Sequence, residues 1–175
     1  MNVDMKIRNA TTDDAAWIAD LCHRQFQVAH KGGIRPDDLL YYVDKIFNAA
    51  EVFDDIGIEG NYYLVAVSDN EEPLGCLKLG PADLFAALHV PGAIEITRLY
   101  LEPGSIGKGI GHGLMKAAFL LSKSIDKTSV WLHVYKENYQ AIKFYEKCGF
   151  EKAGEQDFPV RQSCPVGWVM KCEIK

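Results

Sequence analysis

Gly107, Gly109, Gly111 and Gly113 occupy alternate positions, with Lys108, Ile110 and His112 between them. Each glycine within a helix costs about 1 kcal/mol relative to alanine, so four at the start of an apolar-periodic segment need a compensating reason. One reason is close approach of the backbone to a bulky anion. The unpaired N–H groups and positive dipole end of a helix N-terminus suit a pyrophosphate. A plain surface turn is the other reading. The spacing excludes two common nucleotide motifs. A P-loop needs G-x-x-x-x-G-K-[S/T], whereas Gly104 stands only three residues before Gly107 and Gly109 follows Lys108. A dinucleotide G-x-G-x-x-G fails at His112 when counted from Gly107, and at Leu114 when counted from Gly109.

Upstream, residues 94–101 read as a strand whose apolar parity slips. Ile94 and Ile96 fall on even positions, Leu99 and Leu101 on odd ones. A regular strand keeps one parity, so the slip predicts a β-bulge near Thr97 and Arg98. A bulge in a central strand leaves backbone groups unpaired, and those groups suit an amide-rich ligand. A strand buried on both faces would also explain the pattern. Glu95 projects opposite Ile94 and Ile96, which makes it a candidate general base facing a cleft; an ion pair with a neighbouring strand is its alternative.

The elements that must position these groups are legible from periodicity. Residues 5–9, 62–68, 74–80, 94–101, 130–134, 150–158 and 166–174 alternate or run apolar as strands. Thr11 and Asp14 form a capping-box-like start to a first helix with Ala15, Ile18, Cys22, Phe26 and Ala29 on one face. Pro36, Asp37 and Asp38 open a second helix, with Leu39, Val43, Ile46 and Ala50 inward. Helices over 109–124 and 138–148 follow, the latter closed by Gly149. Residues 81–92 form a longer connection. The predicted order is β-α-α-β-β-β-α-β-α-β-β, an α/β sheet with helices on both faces, built as one domain over residues 1–175.

Composition bounds the function. The chain of 175 residues is 48% apolar and 25% charged, with net charge −5, which argues against nucleic-acid binding and favours a basic substrate. Five cysteines without a C-x-x-C pair suit reduced thiols rather than a disulfide framework or a metal site. The charged N-terminus has no apolar signal core and no run reaches membrane-span length, so a soluble cytoplasmic protein is expected.

The segment Glu95, Ile96, Thr97, Arg98, Leu99, Tyr100, Leu101 followed by Gly107, Lys108, Gly109, Ile110 and Gly111 resembles the acetyl-coenzyme A site of the GNAT superfamily of N-acetyltransferases. Asn138, Ala141, Phe144, Tyr145, Gly149 and Phe150 match that superfamily's N-x-x-A-x-x-F-Y-x-x-x-G-F signature. Within it the chain is most similar to PaiA-type polyamine acetyltransferases, on residues 94–100 and 130–134 and the helix after them. The family's Q/R-x-x-G-x-G/A loop opens with Gln or Arg; here that position is Ile106.

The resemblance implies a GNAT fold: a mixed, mostly antiparallel sheet of about seven strands with a bulged central strand. It implies acetyl transfer from acetyl-coenzyme A to a primary amine, by direct attack in a ternary complex and without a metal. Leu99, Tyr100 and Leu101 would pair with the pantetheine amides, and Gly107, Lys108, Gly109, Ile110, Gly111, His112 and Gly113 would hold the pyrophosphate. Asn138 and Ala141 would contact the pantetheine arm. Tyr145 would protonate the departing thiolate, with Glu95 as the base, acting through water. His112 and His133 read as a cofactor-proximal and a structural histidine. Asp54, Asp55 and Glu59 line an entrance for a cation or form a solvated loop. A polyamine or other small amine is the expected acceptor. The alternatives are a protein or peptide amine, or a coenzyme A sensor without turnover. Residues 166–174, as an edge strand, could pair a homodimer.

Overall fold

The computed structural model describes residues 5–82 and 90–175. Part of the 81–92 connection therefore lies outside the described residues. The elements are β1 (Met5–Asn9), α1 (Ala15–Ala29), α2 (Pro36–Ile46), α3 (Ala49–Ile56), β2 (Tyr62–Ser68), β3 (Pro73–Gly80), β4 (Ala93–Leu101), α4 (Ile110–Ser124), β5 (Ser129–Tyr135), α5 (Tyr139–Lys147), β6 (Glu151–Asp157) and β7 (Val166–Glu173). Strand bounds fall within a residue or so of those expected, because half-buried strands write their alternation into sequence.

The second predicted helix is in fact two. Phe47 leaves helical geometry, and the Asn48 side-chain oxygen accepts the Glu51 N–H at 3.0 Å to start α3. The Asn48 amide also donates to the Lys45 carbonyl at 3.1 Å, so one residue satisfies orphan groups of both helices. The start of α1 is fixed as expected. The Thr11 N–H donates to the Asp14 carboxylate at 2.7 Å, and Arg8 grips the same carboxylate at 2.8 Å.

The sheet order is β1-β2-β3-β4-β5-β7-β6, antiparallel except for the parallel pair β4–β5. Helices cover both faces. On one, α4 and α5 bury Ile110, Leu114, Met115, Ala118 and Ile142 against Leu64, Leu77, Ile94, Ile96 and Leu132. On the other, α1, α2 and α3 bury Ile18, Cys22, Phe26, Val43 and Val52 against Tyr63, Val65 and Cys76. The expectation that residues 166–174 form an edge is overturned: β7 lies between β5 and β6, and the polar β6 takes the edge. All five cysteines are free.

β5 and β7 meet closely where Gly167 lies under the His133 ring. A Cβ there would stand 2.2 Å from His133 Nε2 and 2.7 Å from the Val134 carbonyl oxygen. His133 also bonds the Gln156 carbonyl on β6 at 3.1 Å, so the ring ties three strands together. Gly167→Ala is therefore expected to destabilise by about 1–3 kcal/mol through overpacking, read as a lower urea midpoint with an unchanged m-value.

Candidate active site

The register of β3 on β4 slips by one residue: Lys78 faces Arg98, but Leu79 faces Ile96. Thr97 is the extra residue, exposed and without a partner on β3, at the position where the parity of the sequence breaks. The slip keeps Ile94, Ile96, Leu99 and Leu101 on the α4 face, while Glu95 and Tyr100 lie on the face of α1–α3. It also ends the pairing with β5. The parallel ladder runs from Ala93 and Ser129 to Ile96 and Leu132 and stops there. Beyond it β5 pairs only with β7, as far as Tyr135 opposite Gly167. From Thr97 to Leu101, β4 thus presents a strand edge inside the sheet with no β5 partner.

The glycines serve two purposes. Gly107 and Gly109 hold φ of +79° and +85°, left-handed values that bend the chain into α4. A Cβ at either would meet nothing within 4 Å, so the space beside the turn is open. Gly111 and Gly113 are packing residues. A Cβ at Gly111 would touch the Phe144 ring at 3.2 Å, and one at Gly113 would stand 2.2 Å from Met5 Cε. The Gly113 N–H is already bonded to the Gly109 carbonyl at 3.0 Å, which leaves the turn and the N–H groups before Gly113 to face a ligand. Lys108, Ile106 and His112 are exposed at this turn, His112 edge-on to Phe144 at 5.0 Å.

Asn138 caps α5, its side-chain oxygen accepting the Ala141 N–H at 3.2 Å. About two turns on, Tyr145 lies edge-on to Phe144 and Phe150 and packs against the same core cluster as Leu99, Leu101 and Ala141. Burial, and then the nearby Cys148, raises its phenol above the usual tyrosine value, so it stays protonated at neutral pH. The Tyr100 phenol on the other face of β4 senses Tyr145 electrostatically and is itself raised well above its ordinary value, chiefly by burial. Leu99, Leu101, Ala141 and Tyr145 thus pack against one core cluster, and Tyr100 on the opposite face interacts electrostatically with Tyr145.

On the face of α1–α3, Glu95 is buried, 5% exposed, opposite Gly80 on β3 and Trp131 on β5. Beside it lies a polar cluster that the sequence did not reveal. Tyr63, Lys78 and Arg98 stand in one cross-strand row on β2, β3 and β4. Arg98 donates to the Tyr63 hydroxyl at 2.6 Å and lies over the Phe47 ring at 5.0 Å. Asp55 of α3 closes the row: it accepts from Tyr63, from Lys78 at 2.6 Å and from Asn61 at 2.7 Å. Burial opposes the charge of the Asp55 carboxylate. Hydrogen bonds from Lys78 and Tyr63, with the Lys78 and Arg98 charges, outweigh it and hold the carboxyl below its ordinary value. Asp55 is therefore neither an entrance residue nor part of a solvated loop. The one available signal was Lys78 itself, a cation between the strand apolars Leu77 and Leu79. Among the described residues, no cluster of His, Cys, Asp and Glu could hold a metal ion, and no helix is long and apolar enough to cross a membrane.

The family model for the acetyltransferase (GNAT) family matches residues 32–150. An uncharacterised N-acetyltransferase of Mycobacterium tuberculosis is 27% identical over 161 residues, 92% of this chain and 98% of the relative. The chain superimposes on the PaiA N-acetyltransferase of Thermoplasma acidophilum, solved with coenzyme A, with a TM-score of 0.78 at 18% identity, covering 98% and 99% of the two chains. It also superimposes on the spermidine N-acetyltransferase of Vibrio cholerae, solved with coenzyme A and spermine, with a TM-score of 0.69 at 19% identity, covering 97% and 95%. At these identities the two structures show a shared fold.

The Asp55 cluster has a signature in acid. A carboxyl held below its unfolded value of about 3.9 contributes stability that is present above that pH and lost as pH falls through the folded value. Wild-type stability is expected to fall steeply below about pH 4, and Asp55→Asn to be less stable at neutral pH with a flatter acid limb. Urea titrations at a series of pH values check this.

Proposed function

The chain belongs to the GNAT family of acetyl-coenzyme A-dependent N-acetyltransferases, and on that premise we propose that it acetylates a small primary amine of the polyamine class by direct attack in a ternary complex. The observation that carries the reading is the β4 edge opened by Thr97, with Tyr145 near enough to Tyr100 to interact electrostatically and the glycine turn following the strand. Acetyl-coenzyme A supplies the acyl thioester. Its pantetheine arm carries two amides, and an unpaired strand edge accepts an amide chain as it would another strand. Leu99, Tyr100 and Leu101 would hold that arm, with Asn138 and Ala141 on its far side. Gly107–His112 would take the pyrophosphate on backbone N–H groups, which do not depend on the side chain at Ile106.

Each chemical demand then has a residue. A backbone N–H of the bulged strand polarises the thioester carbonyl as charge grows on its oxygen. Glu95, through water, accepts the proton of the attacking amine, which must be neutral to react. Tyr145 holds a proton on its hydroxyl and delivers it to the departing sulfur. Its raised value keeps that proton in place across the neutral and mildly alkaline range. None of the free cysteines is needed as an acyl carrier. A polyamine acceptor is supported by the net charge of −5 and by the fold likeness to a spermidine N-acetyltransferase.

Thiol release from acetyl-coenzyme A is expected with spermidine or spermine and to be slower with amino acids or peptides. Tyr145→Phe should lower kcat by roughly 100-fold or more while leaving coenzyme affinity little changed, and Glu95→Gln should remove the acid limb of the kcat/KM profile. Coenzyme binding by calorimetry without turnover on any amine would replace this reading with that of a sensor. Faster turnover on peptides would move the acceptor to a protein amine.

A further inference from the structure

We propose that Ser163 and Asp38 are positioning residues for the coenzyme: they latch the tip between β6 and β7 onto α2 and so hold the two halves of the sheet at a fixed separation across the gap between β4 and β5. The inference deepens the reading of that gap as the seat of the pantetheine arm, and rests on it. The ladder between β4 and β5 stops at Ile96 and Leu132, so beyond it the separation is set by what packs across the gap. An arm held by Leu99–Leu101 on one side and by Asn138 and Ala141 on the other binds best when that separation is already in place.

The tip leaves β6 and returns to β7, in the β5–β7–β6 half of the sheet. Val160 and Ser163 exchange two backbone hydrogen bonds, at 2.8 and 2.9 Å, around Arg161 and Gln162. Val160 is nevertheless buried in the core that α1, α2 and α3 form against β2 and β3. Ser163 then completes the N-terminus of α2, where Arg35 offers no side-chain cap of its own. In a capping box, a serine at that position and an acid three residues on satisfy each other's backbone N–H groups. Here the hydroxyl arrives from 128 positions away. Ser163 Oγ accepts the Arg35 N–H at 3.0 Å and donates to Asp38 Oδ2 at 2.7 Å, with both side chains buried. Arg35 also donates to Gln162 Oε1 at 2.8 Å. Arg161, left-handed at φ +52°, lies 3.9 Å from Asp38 and over the Tyr41 ring. A non-glycine residue keeps such a φ only where its surroundings hold it. Aromatic packing spans the same gap: His30 at the end of α1 stacks on Tyr135 of β5, and Phe158 stacks on His133 and meets Tyr42 edge-on. That packing brings the halves together without direction, and the latch adds directional bonds that fix them in register.

The test measures coenzyme A affinity by calorimetry and exchange of the Arg35 amide by NMR, both in the full chain. In Ser163→Ala the Kd for coenzyme A should rise roughly 3- to 10-fold, the size expected for one lost hydrogen bond, and the Arg35 amide should exchange faster. Ser163→Thr, which keeps the hydroxyl, should keep the wild-type Kd. Linkage is reciprocal, so saturating coenzyme A should slow Arg35 exchange in the wild-type protein by a similar factor. If Ser163→Ala fails to fold because Asp38 is left buried without its hydroxyl partner, the double variant Asp38→Asn, Ser163→Ala removes the charge as well and should show the same loss of affinity. A latch that served stability alone would lower the urea midpoint and leave Kd unchanged. That result, in either variant, overturns the proposal and leaves the acetyltransferase reading standing. No binding of coenzyme A by the wild-type protein would overturn that reading, and this inference with it.

Discussion

Thr97 is one residue more than the ladder between β3 and β4 can hold, and the arrangement of the site follows from that excess. Had β4 stayed regular, apolar residues on both sides of position 97 could not have kept to one face, and β4 and β5 could have stayed paired along their length. The bulge resolves the conflict by turning the strand. Ile94 and Ile96 remain in the core with Leu99 and Leu101, and the strand edge beyond Ile96 loses its neighbour. Unpaired backbone groups inside a sheet are costly unless a ligand completes them. The proposed reading gives that edge an occupant, the extended, amide-bearing arm of the coenzyme.

The two faces of β4 divide the work. The α4 face supplies the glycine turn, the apolar wall of Leu99 and Leu101, and the phenol of Tyr145 held in an aromatic stack. The opposite face supplies charge. Tyr63, Lys78 and Arg98 cross three strands in one row, and Asp55 from α3 binds the row together. Both sets meet the strand just beyond Thr97, from opposite faces, and the proposed reading gives the acyl donor and the acceptor amine separate approaches to that segment.

Much of this was legible in the sequence, and the limits have physical causes. The bulge appeared as a parity slip because a strand between two cores has an apolar pattern that cannot drift without consequence. The glycine turn appeared because left-handed φ at Gly107 and Gly109 demands that residue type. The run alone did not show that Gly111 and Gly113 serve packing, since their partners Phe144 and Met5 are far away in sequence. The break between α2 and α3 was hidden by an apolar period continuing through it, although Asn48 followed by Glu51 is the cap that stops it. The inner place of β7 depends on a crossover that no local pattern records; the polar composition of β6 was the available clue. The Asp55 cluster joins residues from four elements, and only a lysine inside an apolar strand hinted at it.

A crystal structure of the protein with coenzyme A would show whether the unpaired β4 edge is where the coenzyme binds. The pantetheine arm is expected extended between β4 and β5, its amides hydrogen-bonded to the backbone between Thr97 and Leu101, and its pyrophosphate at the turn from Gly107 to His112. Coenzyme bound elsewhere, for example in the groove of about 730 Å³ lined by Met115, Phe119, Cys148 and Ile174, with the β4 edge untouched, would contradict it.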